Sequence, residues 1–182
     1  KGYLIDKDTQ GEGVKFKDNQ IWKWNNLFLP PELTRGIFSF LIQHTEGKLP
    51  LPKAFKNSSL SKLDHLVVNT NDADGFIKVY KDVFGIRLAL DKVIEHWKSR
   101  MLFFRLNKTT IEVIEKKDDK EPNDKLWGLA WEVENIKAAH DRLVSEGVDV
   151  TTNKKGIKEN TLVATINSHT CNVPTLIIEH LK

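Results

Sequence analysis

Cysteine and methionine are almost absent from this chain, whose 182 residues include one of each, Cys171 and Met101. A lone cysteine excludes an internal disulfide framework and a zinc site made of cysteines, and it is typical of a reducing compartment. We therefore predict a cytoplasmic location. The chain also lacks a signal-like opening segment and an initiating methionine, so we expect a processed or partial gene product.

Long apolar runs and a dominant charge are missing too. The uninterrupted apolar stretches are only a few residues long, too short to cross a membrane. The 28 basic and 25 acidic residues interleave, and a net charge of +3 is too weak for a nucleic-acid-binding surface. No phosphate-binding loop, dinucleotide fingerprint, nucleophile elbow or HExxH motif occurs. With 40% hydrophobic and 29% charged residues, we expect a globular protein with neither a nucleic-acid nor a membrane partner.

What the sequence does have is an internal repeat. Residues 63–88, "LDHLVVNTNDADGFIKVYKDVFGIRL", and 127–150, "WGLAWEVENIKAAHDRLVSEGVDV", follow the same plan. An apolar strand pattern leads to an acidic or amide helix cap, then to apolar residues at helical spacing, and then to a glycine that ends the helix. The apolar residues predict two buried helix faces, Phe76, Val79, Tyr80 and Val83 in the first copy and Ile136, Ala139, Leu143 and Val144 in the second.

Three strand-like runs follow each helix, so the unit strand–helix–strand–strand–strand, written βαβββ, occurs twice, as modules 63–117 and 126–182. Residues 1–45 repeat the last three strand patterns and are predicted to be an incomplete module. Residues 46–62, which are rich in proline and serine, are typical of a linker. The alternative is a generic α+β domain whose internal likeness is accidental.

The motifs "LDHLVV", "YKDVFGIRL", "TTIEVIE", "WGLAWEVEN" and "AAHDRLVSEGVDV" resemble the vicinal oxygen chelate superfamily of glyoxalase I, bleomycin-resistance proteins and extradiol dioxygenases. The upstream "LFLPPELTRGIFSFLIQH" resembles the end of a preceding module in tandem members. The resemblance implies an α+β fold in which paired βαβββ modules form a cup-shaped mixed sheet, here preceded by a three-strand partial module. It also implies a divalent metal ion inside the cup, bound by the first and last strands of each module.

The resemblance places two metal ligands in the first module, His65 on the first strand and Glu112 on the last. Strand alternation puts His65 on the same face as Val67 and Asn69, and this face should line the cup. An ion with open coordination positions there would polarise a substrate that has neighbouring oxygens. The alternative is that the two side chains hydrogen-bond each other or water in a polar cup.

The second module departs from the pattern. Gly128 stands opposite His65 and Leu176 stands opposite Glu112, and a slip of one residue in either alignment offers no donor. We therefore expect two protein ligands at best, whereas catalytic metal sites commonly have three.

Four further residues are candidates for the site. Glu132 should share the cup face and is, with Glu112, a candidate catalytic base. Asn69 is a candidate substrate-binding residue on the same face. Arg105 is another, because its guanidinium group is suited to binding a carboxylate or a phosphate. Trp97, in the loop "IEHWKS", is a candidate to shield the ligand. The alternatives are a solvent-facing Glu132, an ion-paired Arg105 and a packing role for Trp97.

The resemblance implies a glyoxalase-like lyase or isomerase acting on a small oxygenated metabolite, with a degenerate divalent metal site. The alternative is a metal-free small-molecule binding protein of the bleomycin-resistance type, which the missing second-module ligands favour. A net charge of +3 speaks against bleomycin itself, which is cationic. Because the strands of residues 1–45 lack the elements that complete a module, and exposed strand edges pair, we also predict a homodimer or strand-swapped assembly, or completion by upstream sequence.

Overall fold

The computed structural model describes residues 4–16, 19–47, 56–117 and 120–181. The chain divides into two compact units, residues 1–53 and 54–182. Among the described residues, no helix is long and apolar enough to cross a membrane. The cytoplasmic location stays a prediction.

The smaller unit is an antiparallel sheet of three strands in the order β1 (Thr9–Lys15), β2 (Gln20–Phe28) and β3 (Phe40–Glu46). A single helical turn, α1 (Pro31–Thr34), begins with proline, which fits this position because its backbone needs no donor there. Strand β3 is exposed along its length, and its outer edge has no hydrogen-bonded strand among the described residues. The three predicted strands are therefore present, while their origin in an incomplete module stays a prediction.

The larger unit contains one mixed, eight-stranded sheet. Its order across the sheet is β5-β6-β7-β4-β8-β11-β10-β9. The strand that comes first in the chain, at Leu60, begins within the predicted linker 46–62. Residues 48–55 of that linker lie outside the described residues. The strands are β4 (Leu60–Thr70), β5 (Arg87–Ile94), β6 (Ser99–Leu106), β7 (Thr109–Glu115), β8 (Lys125–Val133), β9 (Lys154–Lys155), β10 (Thr161–Ile166) and β11 (Thr175–His180).

The two halves of this sheet have the same topology. In each half the first and last strands run parallel, β4 beside β7 and β8 beside β11, while the other neighbours run antiparallel. The halves join through β4 and β8, which are antiparallel. This arrangement confirms the predicted pair of βαβββ modules.

Each module's helix begins at a matched pair of caps. Helix α2 (Ala73–Ile77) has Asp72 as its N-cap, and helix α3 (Ile136–Ser145) has Asn135, each accepting the backbone N–H of the third helical residue. A glutamate from the last strand of the same module accepts the first helical N–H: Glu115 from Ala73 at 3.1 Å and Glu179 from Ile136 at 2.7 Å. Each carboxylate thus fixes its helix to the last strand of the same module.

The predicted helix faces are right except at their last residues. Val83 is 53% exposed and Val144 is 49% exposed. After Ile77 the helix widens into a π-helical turn (Lys78–Val83), in which the N–H of Phe84 donates to the carbonyl of Val79. The wider turn rotates Val83 away from the sheet. Val144 comes one residue after Leu143, which is a rotation of about 100° around the helix axis, and it therefore lies outside the apolar face of α3.

The core lies between the sheet and the two helices, which cover the same face. Phe76 of α2 is fully buried against Phe104 of β6, with ring centroids 5.5 Å apart. In the second module Ile136 and Ala139 of α3 pack with Ile177 of β11. Cross-strand register places the alternate residues of the same strands on the opposite face, which we call the cup face.

Candidate functional site

The first and last strands of the first module, β4 and β7, lie side by side on the cup face. Their parallel register sets His65 beside Thr110, Val67 beside Glu112 and Asn69 beside Ile114. Because these neighbours share a face, the histidine and the glutamate point in the same direction, away from the helices.

The structure brings His65 and Glu112 together. Nε2 of His65 lies 3.8 Å from Oε2 of Glu112, and the two side chains are 16% and 20% exposed. Burial raises the pKa of Glu112 above its ordinary value, while His65 opposes the rise and the charge of Asp64 adds to it. The pair is therefore a half-buried acid/base couple, with a carboxyl group that holds a proton more firmly than an exposed glutamate.

A β-bulge places a second carboxylate beside this pair. The register between β4 and β8 shifts between Leu63 and His65, so Asp64 has no partner of its own in the ladder. A bulge breaks strict alternation, and here two consecutive residues, Asp64 and His65, both reach groups on the cup face.

The Asp64 carboxylate accepts from two imidazoles. Oδ2 lies 2.8 Å from Nδ1 of His65, and Oδ1 lies 2.8 Å from Nε2 of His180. Burial alone raises the pKa of Asp64, but these hydrogen bonds outweigh it and hold the pKa well below its usual range. Since an ionised carboxylate only accepts, Nδ1 of His65 must carry a hydrogen, which leaves Nε2 facing Glu112 as the acceptor in the neutral ring.

The contacts continue into the second module. Nε2 of His180 lies 3.6 Å from Oε2 of Glu132, and the same carboxylate oxygen lies 3.0 Å from Nζ of Lys62. Potential ligand atoms of Asp64, Glu132 and His180 all lie within 4.8 Å of one another. A continuous polar chain therefore runs across the seam between the modules: Glu112, His65, Asp64, His180, Glu132 and Lys62.

The remaining predicted site residues are distributed along the sheet. Asn69 is on the cup face, and its Oδ1 is buried without a hydrogen-bond partner among the described residues. Arg105 pairs across strands with Thr110 and donates to its Oγ1 at 2.7 Å, so it shares the row of His65. Trp97 is 41% exposed in a 3₁₀ turn between β5 and β6, at the far edge of the sheet, so the structure does not bring it to the pair.

The second module has no donor at the positions that correspond to the pair. A Cβ atom added to Gly128 would lie 2.7 Å from the carbonyl oxygen of Pro174, so a larger residue does not fit. Leu176, which lies beside Ala130 in the parallel register, offers only hydrocarbon. Packing thus explains the absence of a ligand side chain at Gly128.

Comparison with known proteins agrees with this architecture. Residues 64–165 match the family model of the glyoxalase/bleomycin resistance protein/dioxygenase superfamily. The chain belongs to this superfamily. No curated protein matches the sequence significantly.

Solved structures give the same fold. Methylmalonyl-CoA epimerase from Mycobacterium tuberculosis is similar with a TM-score of 0.57 and 21% identity, over 71% of this chain and 95% of that chain. The Streptomyces coelicolor methylmalonyl-CoA epimerase in complex with 2-nitronate-propionyl-CoA has a TM-score of 0.55 and 16% identity, over 68% and 100%. A hypothetical protein from Bacillus halodurans has a TM-score of 0.55 and 16% identity, over 66% and 95%. At these identities the likeness shows the fold.

The donor set does not fit a metal ion at the position that the resemblance implies. His65 and Glu112 supply two donors there, and Gly128 and Leu176, at the corresponding positions of the second module, supply none. Three protein donors are common at catalytic metal sites. The expectation of two ligands at best at this position stays a prediction. Nearby, Asp64, Glu132 and His180 offer one potential ligand atom each.

Asp64, His180 and Lys62 are the members of the chain that the sequence did not single out. His180 is the last residue of β11, and alternation from Leu176 places it on the cup face. Asp64 has no such signal, because regular alternation directs it toward the helices and only the bulge reverses this.

Proposed function

We propose that this protein is an isomerase or lyase of the glyoxalase-like kind, which moves a proton on a small oxygenated metabolite by means of Glu112 and His65. The observation that carries the proposal is the contact at 3.8 Å between a half-buried carboxyl group and an imidazole whose other nitrogen is held by Asp64. Superfamily membership and the fold shared with methylmalonyl-CoA epimerases support this class of reaction.

Glu112 is the base in this proposal. Its carboxylate takes a proton from carbon next to a carbonyl group, which leaves an enolate, and returns the proton to the other face or to the neighbouring atom. A raised pKa suits this role, since a base is most effective when its pKa is close to the working pH. His65 faces the base with Nε2 and holds the proton between the two steps. Asp64 fixes the ring by accepting from Nδ1.

Two neighbours are suited to binding the substrate. The unpartnered Oδ1 of Asn69 calls for a donor, such as a hydroxyl or amide group of a ligand. Arg105, in the row of His65, spends one N–H on Thr110 and has other donors in its planar group for an anionic substituent. We therefore propose a substrate that has a carbonyl-activated carbon and a carboxylate or phosphate.

Deuterium exchange tests the reaction without knowledge of the product. The protein is incubated in D₂O with methylmalonyl-CoA and with a set of small 2-hydroxy ketones and 2-hydroxy acids, and mass spectrometry measures exchange at the activated carbon. Wild type should catalyse exchange, and Glu112→Gln and His65→Gln should each lose about 10²–10⁴ fold in rate. Asp141→Asn, on the exposed side of α3, is the matched control and should keep the wild-type rate. Exchange by Glu112→Gln at the wild-type rate, or none by wild type with any compound, contradicts the proposal.

A second candidate is a metal-free binding protein for an antibiotic or a metabolite. Leu176 and Gly128 favour it, because at the corresponding positions of the second module they add no metal-binding donor to the pair. A ligand that binds only the folded state raises the melting temperature in a thermal-shift screen. Stabilisation by a compound that shows no exchange would favour this candidate over the enzyme.

A further inference from the structure

We propose that a divalent cation binds Asp64, Glu132 and His180 at the seam between the two modules, beside the His65–Glu112 pair and not within it. The three side chains come from three adjacent strands, β4, β8 and β11, so the site requires both modules. The inference deepens the proposed function by adding a cation that neighbours the acid/base pair, and it rests on separate contacts.

The geometry of the donors supports one ion. Nε2 of His180 lies 2.8 Å from Oδ1 of Asp64 and 3.6 Å from Oε2 of Glu132, separations that an ion with ligands at about 2.0–2.2 Å can bridge. One potential ligand atom from each of the three side chains lies within 4.8 Å of the others. The side chains of Asp64, Glu132 and His180 are 18%, 27% and 31% exposed, so each is partly withdrawn from water but open to an entering ion. Two carboxylates and an imidazole form a mixed oxygen and nitrogen set, which suits manganese, iron, cobalt or zinc.

The charges around the seam are unbalanced without a cation. Asp64, Glu132 and Glu112 are three carboxyl groups within one polar chain, and the amine of Lys62 contacts one of them, Glu132. Lys62 reaches Glu132 at 3.0 Å and therefore neutralises one end of the chain. Asp64 instead lies between two imidazoles, where an ion that replaces the hydrogen on Nε2 of His180 would bind both residues.

The proposed position differs from the one that the superfamily resemblance implies. Glu132 and His180 each lie four positions beyond the second-module residues, Gly128 and Leu176, that stand where ligands were expected. Gly128 is closed by Pro174, so the donors of the second module occur farther along the same two strands. Glu112 is a ligand only at the position that the resemblance implies and not at the proposed site. A substitution of Glu112 therefore distinguishes the two positions experimentally.

Metal titration of the full chain distinguishes them. After chelator treatment and dialysis, Mn²⁺ and, separately, Zn²⁺ are titrated by calorimetry. Wild type should bind one ion. Glu132→Gln and His180→Gln should each weaken binding by at least about tenfold, since even loss of a group that only supports a ligand costs 10–100 fold. Glu112→Gln should keep the wild-type affinity, and Lys62→Gln should bind more tightly because a competing charge is removed.

Three outcomes would overturn the site. They are the absence of saturable binding, binding that Glu112→Gln abolishes while Glu132→Gln retains it, and equal binding by every variant, which indicates adventitious ions on surface carboxylates. Circular dichroism of each variant establishes that it is folded. If His180→Gln does not fold, Glu132→Gln alone provides the test of the site. The titration involves no substrate, so a bound ion without deuterium exchange refutes the proposed reaction and leaves the site standing.

Discussion

Asp64 and His180 are 116 positions apart in the sequence, and the carboxylate of one lies 2.8 Å from Nε2 of the other. The contact crosses β8 and joins the first strand of one module to the last strand of the other. The same carboxylate also holds His65, so a single side chain orders both the predicted acid/base pair and the seam.

Asp64→Asn should therefore reduce stability and disturb both rings. Hydrogen bonds to a charged group contribute about 1.5–3 kcal/mol, and the neutral amide replaces an acceptor by a donor on one side. Urea denaturation should show a loss of this size, and the nitrogen chemical shifts of His65 and His180 should both move. The exposed Asp141→Asn is the control and should match wild type. A variant with unchanged stability and unchanged rings would show that the contacts contribute nothing.

Glu112→Gln should stabilise the protein in a pH-dependent way. Because the folded pKa of Glu112 is raised above its ordinary value of 4.5, folding favours the protonated form. Stability contributed by this group is complete below pH 4.5 and is lost as the pH rises through the folded pKa. Glutamine resembles the protonated form at every pH. Urea midpoints at acid and neutral pH should thus show a gain over wild type that appears only at the higher pH; a constant difference would contradict the assignment.

Glu115→Ala and Glu179→Ala should have equal effects, because the two carboxylates accept the first N–H of α2 and of α3 respectively. Each loss should cost about 1 kcal/mol in the free energy of unfolding. The sites lie in different modules, so the double variant should show the sum. An effect of only one substitution, measured by urea denaturation, would show that the modules are not equivalent in this respect.

Arg100→Lys should weaken the outer edge of the first module. Nε and Nη2 of Arg100 donate to the two carboxylate oxygens of Asp91 on β5, at 2.8 and 2.7 Å, and Nη1 donates to Asp74 of α2 at 2.8 Å. A lysine cannot form this fork, and we expect a loss of about 0.2–1 kcal/mol that becomes smaller in high salt. Calorimetric melting at low and high salt measures it, and a salt-independent loss would point to packing instead.

Light scattering tests the predicted homodimer or strand-swapped assembly. Phe40, Leu41 and Ile42 of β3 are 44%, 55% and 49% exposed at an edge that has no strand partner among the described residues. In the complete modules the corresponding last strands, β7 and β11, pair with a first strand. A mass that doubles with concentration is expected, and a monomer at high concentration would contradict the prediction.

The fold could be predicted because its signals are local and repeated. Period-two strands, caps such as Asp72 and Asn135, and helix-ending glycines occur twice in the same order, and each has a short-range physical cause. The structure differs from the sequence-based prediction where the backbone geometry is locally irregular. A π-helical turn removes Val83 from the core, and no pattern in the sequence indicates it.

The candidate site was predictable only in part. His65 and Glu112 follow from alternation on two strands and from the resemblance, and the structure places them 3.8 Å apart. His180 required alternation to be extended to the last residue of β11. Asp64 depends on a bulge, and its contacts with a residue at the end of the chain depend on the order of strands across the seam.

The helix-anchoring glutamates and the polar chain differ in how they are distributed over the two modules. Glu115 and Glu179 occupy equivalent positions and make the same contact in both modules. The positions equivalent to His65 and Glu112 are instead occupied by Gly128 and Leu176. The contacts that anchor each helix are thus present in both modules, whereas the polar chain occurs once and has members from both. One module taken by itself would accordingly have its helix anchor but only part of the polar chain.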